Sequence, residues 1–255
     1  MFKTWKLGLF FLLCLMFALL LNLPIKQVLP LVKLPNTVSL IGINGTAFNG
    51  TVQEININSF PLRSLDYRYQ PSCILLLKVC YNVSYEQGII EIGYDVLNGD
   101  TEISYAKVEY PVSELVRHVP NVPVNPVGRI ELVIDDLSMV RGKPVALSGK
   151  LTWRDMGLDD DIKINLGDYQ IIFAGDQQKY DFKLTDLDAS LDVGGAGNVR
   201  ADGQYSVDIK IASEDSIEPR VKNVLDLVAA KTAYNQYRFE QKGRLPASIT
   251  RQLFR

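Results

Sequence analysis

Cys73 and Cys80, seven residues apart, form the one cysteine pair outside the apolar N-terminal run that holds Cys14. In an oxidising compartment such a pair is most simply a disulfide. The bond is possible if Pro71-Ser72-Cys73 opens a helical turn that returns into a strand at Val79. On a straight strand, residues this far apart point to opposite faces and cannot join. Two buried thiols are the alternative. A metal site is disfavoured, because His118 is the single histidine and no other cysteine is at hand. His118 could complete a Ser–His–acid triad on paper. No G-x-S-x-G motif supplies the nucleophile, so it reads as a surface histidine near a helix C-terminus. Asp159-Asp160-Asp161 and Asp186/Asp188/Asp192 are the acid clusters. Neither has the ligand offsets and bend glycine of a calcium loop. Gly194-Gly195-Ala196-Gly197 precedes a strand, not a helix, so it is no dinucleotide loop, and there is no Walker sequence. Asn44-Gly45-Thr46, Asn49-Gly50-Thr51 and Asn82-Val83-Ser84 match the glycosylation triplet, but asparagine before glycine is ordinary turn chemistry. No catalytic residue, cofactor or metal ligand is assigned, and the chain reads as a non-enzyme. Its net charge of −2 leaves no basic field for nucleic acid.

The elements around these residues begin with a tether. Leu7 to Leu21 is unbroken apolar sequence, and the run extends to Leu23. As a helix it would reach roughly 25 Å, the short end of a membrane span. Phe2 and Trp5 can extend it into the interface. A cleaved secretory signal is the rival reading, but Asn22-Leu23-Pro24-Ile25-Lys26 offers no small-residue cleavage site. We therefore expect a cytoplasmic stub at 1–6, a transmembrane helix from Leu7 to Leu23, and an extracytoplasmic body over 24–255. The stub is small and basic, so the body is the part that crosses.

In the body, period two dominates. Apolar residues alternate with polar ones at Ile90–Tyr94, Ile130–Ile134, Ile162–Leu166, Leu187–Val193 and Tyr205–Ile211. Turn chemistry separates these runs at Asn98-Gly99-Asp100, Arg141–Pro144, Gly194–Asn198 and Ala201-Asp202-Gly203. Two segments have helical spacing instead, Pro111–Val119 and Glu218–Lys231. Val119–Val127, with prolines at 120, 123 and 126, is an extended connector. It could divide the body into lobes 24–119 and 127–255, although one continuous sheet crossing there is the favoured arrangement. The expected fold is mainly β: a single N-terminal transmembrane helix, then a curved antiparallel meander, half-barrel or open sandwich-like, with two short helices.

Several stretches resemble the type II secretion system protein N family. They are Gly45–Val52, Val127–Leu132, Pro144–Trp153, Leu166–Tyr169, Gly203–Ile211 and Tyr237–Leu245, and they occur in the family's order. Met156 and the Cys73–Cys80 pair depart from its pattern. The resemblance implies a bacterial inner-membrane protein with a periplasmic β domain, working with other secretion subunits in the export of folded proteins. It carries over no catalytic residue. A likeness in style to AsmA-type proteins suggests an apolar trough lined by Ile130, Leu132, Leu187, Leu191, Val207 and Ile209. Such a groove could take a lipid chain or a partner strand.

Overall fold

The structure, a computed structural model, describes residues 8–12, 15–16, 19, 22–31, 38–57, 60–116, 125–140, 143–159, 163–213, 217–246, 250 and 254. Residues 8–12, 15, 16 and 19 are helical. No helix among the described residues is long and apolar enough to cross a membrane. Leu7, Cys14 and His118 lie outside the described residues. The chain divides into two compact units, residues 1–89 and 90–255.

The first unit is a meander of β1 (Val38–Gly45), β2 (Asn49–Ile57), β3 (Phe60–Gln70) and β4 (Lys78–Tyr85). Each strand pairs antiparallel with the next. Short turns dictate this, since neighbours in sequence can only fold back on one another. The β1–β2 turn is fixed by Thr46, whose Oγ1 accepts the Phe48 and Asn49 N–H groups, each at 3.2 Å. Val52 and Leu65 face each other across β2 and β3 and are buried. Ahead of β1 lie α1 (Ile25–Val28) and a 3-10 turn over Leu29–Leu31. A second 3-10 turn, Pro71–Leu76, joins β3 to β4. It is the helical turn that the cysteine spacing requires.

The second unit contains β5 (Gly88–Asp95) from Ile90 onward, then β6 (Thr101–Pro111), α2 (Val112–Val116), β7 (Pro126–Val140), β8 (Lys143–Asp159), β9 (Lys163–Asp176) and β10 (Lys179–Ala189). It continues with β11 (Asp192–Arg200), β12 (Gln204–Ala212), α3 (Pro219–Val228), β13 (Ala230–Ala233) and β14 (Gln236–Arg244). From β6 to β12 the sheet follows chain order, and β14 then lies between β12 and β13. The chain leaves β12, lays α3 on the sheet, and returns through β13. Under α3, Leu191, Val193, Ile217, Leu225 and Tyr237 form the buried cluster, packed with Tyr169, Leu184, Ile209 and Ile211. The helix is held at its start by the Glu218 carboxylate, which accepts the Val221 N–H at 3.2 Å. It is held further along by Tyr237, whose hydroxyl donates to Asp226 at 2.8 Å.

Four sequence expectations change. The helix expected over Pro111–Val119 is described only at Val112–Val116, and Pro111 instead closes β6 opposite Arg129. The second helix stops at Val228, because Ala230 already pairs with Arg238. Gly194–Asn198 is no turn but the middle of β11, paired on both sides. Leu187–Val193 is no single strand: β10 ends at Ala189, Ser190 and Leu191 form a bend, and β11 starts at Asp192. Of the Val119–Val127 connector, 119–124 lie outside the described residues, while Pro126 and Val127 open β7.

Candidate functional site

Residues directly opposite across an antiparallel pair share a face, so register sorts the second unit into two surfaces. Ile130 stands between Tyr110 and Trp153, and Leu132 between Val108 and Leu151. The row through Leu132 and Leu151 continues through Ile171, Leu184, Gly195, Ile209 and Phe239. The next row runs through Gly149, Phe173, Phe182, Gly197 and Val207. One apolar face therefore spans β6 to β14. Ile130, Leu132, Val207 and Ile209 all lie on it, each only half-buried. Leu191 is in the closed cluster beneath α3. Leu187 occupies the irregularity between Asp186 and Asp188, outside the paired register, and is 51 % exposed. A bulge residue is unpaired and re-aims its neighbours, so the alternation that joined Leu187 to Leu191 in the sequence does not survive there.

Glycines keep this face low. Phe182 lies over Gly197 and Phe173 over Gly149, where a Cβ would meet the ring edge. Tyr180 and Tyr205 cover Gly175 and Gly243 in the same manner. At one end of the sheet Phe254 packs on Tyr180, with ring centroids 5.0 Å apart. At the other end Tyr169 is half-buried, and its hydroxyl donates to the Leu166 carbonyl at 3.1 Å. Desolvation, reinforced by the Asp186 charge, pushes the Tyr169 phenol up to about 12.

The opposite face is ionic. Glu131 accepts from Lys107 at 3.3 Å and from Arg154 at 3.3 Å, and Arg154 also approaches Asp168 at 3.6 Å. Burial acting alone would raise the Glu131 carboxyl, but the hydrogen bonds from Lys107 and Arg154 outweigh it and hold the group below the usual range. Beneath this network Thr152 is buried and accepts from the Gln170 amide at 3.2 Å. A second network joins Arg238 to Asp208, with both guanidinium bonds at 2.8 Å, and Lys242 to Glu240 at 2.8 Å. The Arg238 bond holds the Asp208 carboxyl low. Between these groups lies a hollow of about 740 Å³, floored by Ala174 and Ala196 and edged by Asp181, Lys183, Asp208 and Arg238. Charges of both signs thus surround a floor of small residues.

In the first unit, Cys73 and Cys80 are bonded, with Cα atoms 5.9 Å apart. Gln70 pairs with Cys80 at the end of β3, so the bond closes the 3-10 turn onto β4. Sequence reasoning missed a polar cavity of about 640 Å³ beside it, lined by Asn49, Thr51, Asp66, Arg68, Asn82 and Ser84. These six are two cross-strand rows on one face of β2 to β4. Their alternation with Gly50, Tyr67 and Val83 was the available signal. No three His, Cys, Asp or Glu side chains converge to hold a cation among the described residues.

No curated protein and no solved structure matches the chain. Residues 36–240 match the family model described as type II secretion system (T2SS), protein N. That span starts just before β1 and ends within β14, so it takes in β1 to β13, the first part of β14 and both faces just described. The chain is a member of the type II secretion system protein N family.

Proposed function

We propose that the chain is an inner-membrane-anchored, periplasmic component of the type II secretion pathway. It supports export of folded proteins across the outer membrane by contacts with other secretion subunits, and it catalyses nothing. The family match over residues 36–240 carries this reading. The N-terminal segment supports the anchor from Leu7 to Leu23. Its described side chains from Leu9 to Leu19 are apolar and about half or more exposed, and a helix that is apolar all round belongs in a core or a bilayer. The Cys73–Cys80 bond supports an oxidising compartment for the body. The mixed-charge hollow on β9 to β14 is the surface offered to a partner subunit.

Deletion of the gene tests the reading. Exported proteins should accumulate in the periplasm, and the tagged full chain should co-purify with secretion subunits. Undiminished export in the deletion strain would refute it. In spheroplasts, added protease should degrade the body without lysis.

A second reading is favoured by the continuous apolar face, on which Ile130, Leu132 and Val207 stay partly open while Ile209 packs against the cluster under α3. There the protein handles lipid at the periplasmic side of the membrane, as an AsmA-like trough would. Extraction of the purified protein should then yield phospholipid in fixed ratio to protein. A lipid-free body with full export activity would dismiss this reading and leave the first intact.

A further inference from the structure

The disulfide-closed turn of the first unit holds its side chains in an arrangement that folding alone would not favour. Ile74, Leu75, Leu76 and Leu77 are consecutive, and they are 60, 87, 68 and 57 % exposed. A run of four bare aliphatic residues is usually a contact surface. The turn is also held against collapse. Cys73 is bonded to Cys80, Pro71 starts the 3-10 turn, and the Leu77 N–H donates back to the Cys73 and Ile74 carbonyls. Leu77 has φ of 55°, a left-handed conformation that glycine adopts freely and leucine adopts under strain. Glycine would relax this backbone, so the leucine carries a strain while its apolar side chain stands exposed.

The surroundings identify the occupant. Strand register puts the β1–β2 turn, the end of β3 and the start of β4 at one end of the sheet, because Asn49 faces Arg68 and Gln70 faces Cys80. The N-terminal apolar segment arrives at that same end. Pro24 bridges to Thr46, and the Leu23 carbonyl accepts the Ala47 N–H at 3.0 Å. Phe48, Tyr69 and Tyr81 cluster between the two, with centroids 5.3 and 5.7 Å apart. Aromatic rings of this kind sit at the level of lipid headgroups. From Tyr67 to Tyr85 the chain carries Arg68 and Lys78 and no acidic residue, which suits an anionic headgroup layer. Residues 74–77 hold no polar side chain that a protein partner could recognise by direction, and the Leu77 N–H is satisfied within the turn by the Cys73 and Ile74 carbonyls, which lowers the cost of entry into lipid.

We propose that the Ile74–Leu77 turn inserts into the acyl region of the phospholipid bilayer that holds the N-terminal segment, giving the first unit a second membrane contact. The proposal rests on the anchored reading above. The test uses the full chain in vesicles of phosphatidylethanolamine and phosphatidylglycerol. Leu75→Trp is introduced in a Trp5→Phe background, and the Trp5→Phe parent supplies the emission of Trp153 for subtraction. The indole at position 75 should emit at short wavelength and lose most of its intensity when the lipid acyl chains are brominated. Emission at the wavelength of water-exposed indole, unquenched by the bromines, would overturn the proposal. So would a blue shift that appears only when secretion subunits are added, since the pocket would then be protein. Leu75 is nearly fully exposed, so the substitution disturbs no core, and resistance of Cys73 and Cys80 to alkylation confirms the turn is formed. Resistance of the chain to alkaline carbonate reads the anchor separately. A resistant chain with an unquenched indole sinks the turn and spares the anchor, whereas carbonate release sinks the anchored reading itself.

Discussion

Glycine stands opposite an aromatic ring at Gly50/Tyr67, Gly149/Phe173, Gly175/Tyr180, Gly197/Phe182 and Gly243/Tyr205. A glycine inside a strand costs about 0.5–1 kcal/mol relative to alanine. A ring laid over it recovers contact area and keeps water off the exposed backbone, an instance of the cross-strand pairing that stabilises sheets. Not every strand glycine has this role. At Gly194 a Cβ would meet nothing within 4 Å. Gly197→Ala should therefore destabilise the second unit by about 1–3 kcal/mol through overpacking against Phe182. Gly194→Ala should be neutral or stabilising by up to about 1 kcal/mol. Urea denaturation of the two variants checks the opposite signs. Glu131 gives a prediction in pH. Its folded carboxyl is held below the unfolded value, so its contribution is present above the unfolded value and is lost as pH falls through the folded one. Glu131→Gln should lower thermal stability at neutral pH and make it fall less steeply on acidification than in the parent. Equal acid slopes in the two proteins would contradict the assignment.

At the scale of elements, α3 is the clearest case of a helix that exists because of what it covers. Leu225 is its buried anchor, while Leu227 and Val228 remain exposed. Leu225→Ala should cost about 2–5 kcal/mol, the range for truncating a buried leucine, and should loosen Tyr237, the most deeply buried large side chain, from Asp226. Denaturation with tyrosine fluorescence as the probe measures both. Elements with a clean period were legible in the sequence. Ile130–Ile134 and Tyr205–Ile211 fall inside β7 and β12, and the Pro71-Ser72-Cys73 turn and its disulfide form as the spacing requires. Gly194–Asn198 was not legible, because glycine-rich sequence signals a turn unless the neighbouring strands are known to supply rings. The break between Leu187 and Leu191 was hidden for the opposite reason: a bulge and a bend preserve the alternation of residue types while destroying the alternation of faces. Hence four of the six residues expected in the trough share the apolar face. Leu191 lies in the cluster under α3, and Leu187 sits at the bulge.

For the whole molecule, the proposed anchor and the family's part in type II secretion make a joint prediction about what the N-terminal segment supplies. If it serves only to tether, its sequence is replaceable and its presence is not. A tether confines the body near its membrane partners at an effective concentration of the order of millimolar. A body adrift in the periplasm must reach the same partners by affinity alone. Replacing residues 1–23 by an unrelated spanning helix of the same orientation should therefore restore export to a deletion strain. Replacing them by a cleavable signal should leave export impaired at equal abundance of the body, and overproduction should correct it. The measurement is the fraction of a secreted enzyme found outside the cells. Failure of the unrelated helix would mean that the native segment itself recognises another membrane subunit. Full export by the freed body at native abundance would mean that the surfaces on its two units hold the partners without help from the membrane. In that case the N-terminal segment, apolar and exposed at its described residues between Leu9 and Leu19, would be needed for delivery and not for work.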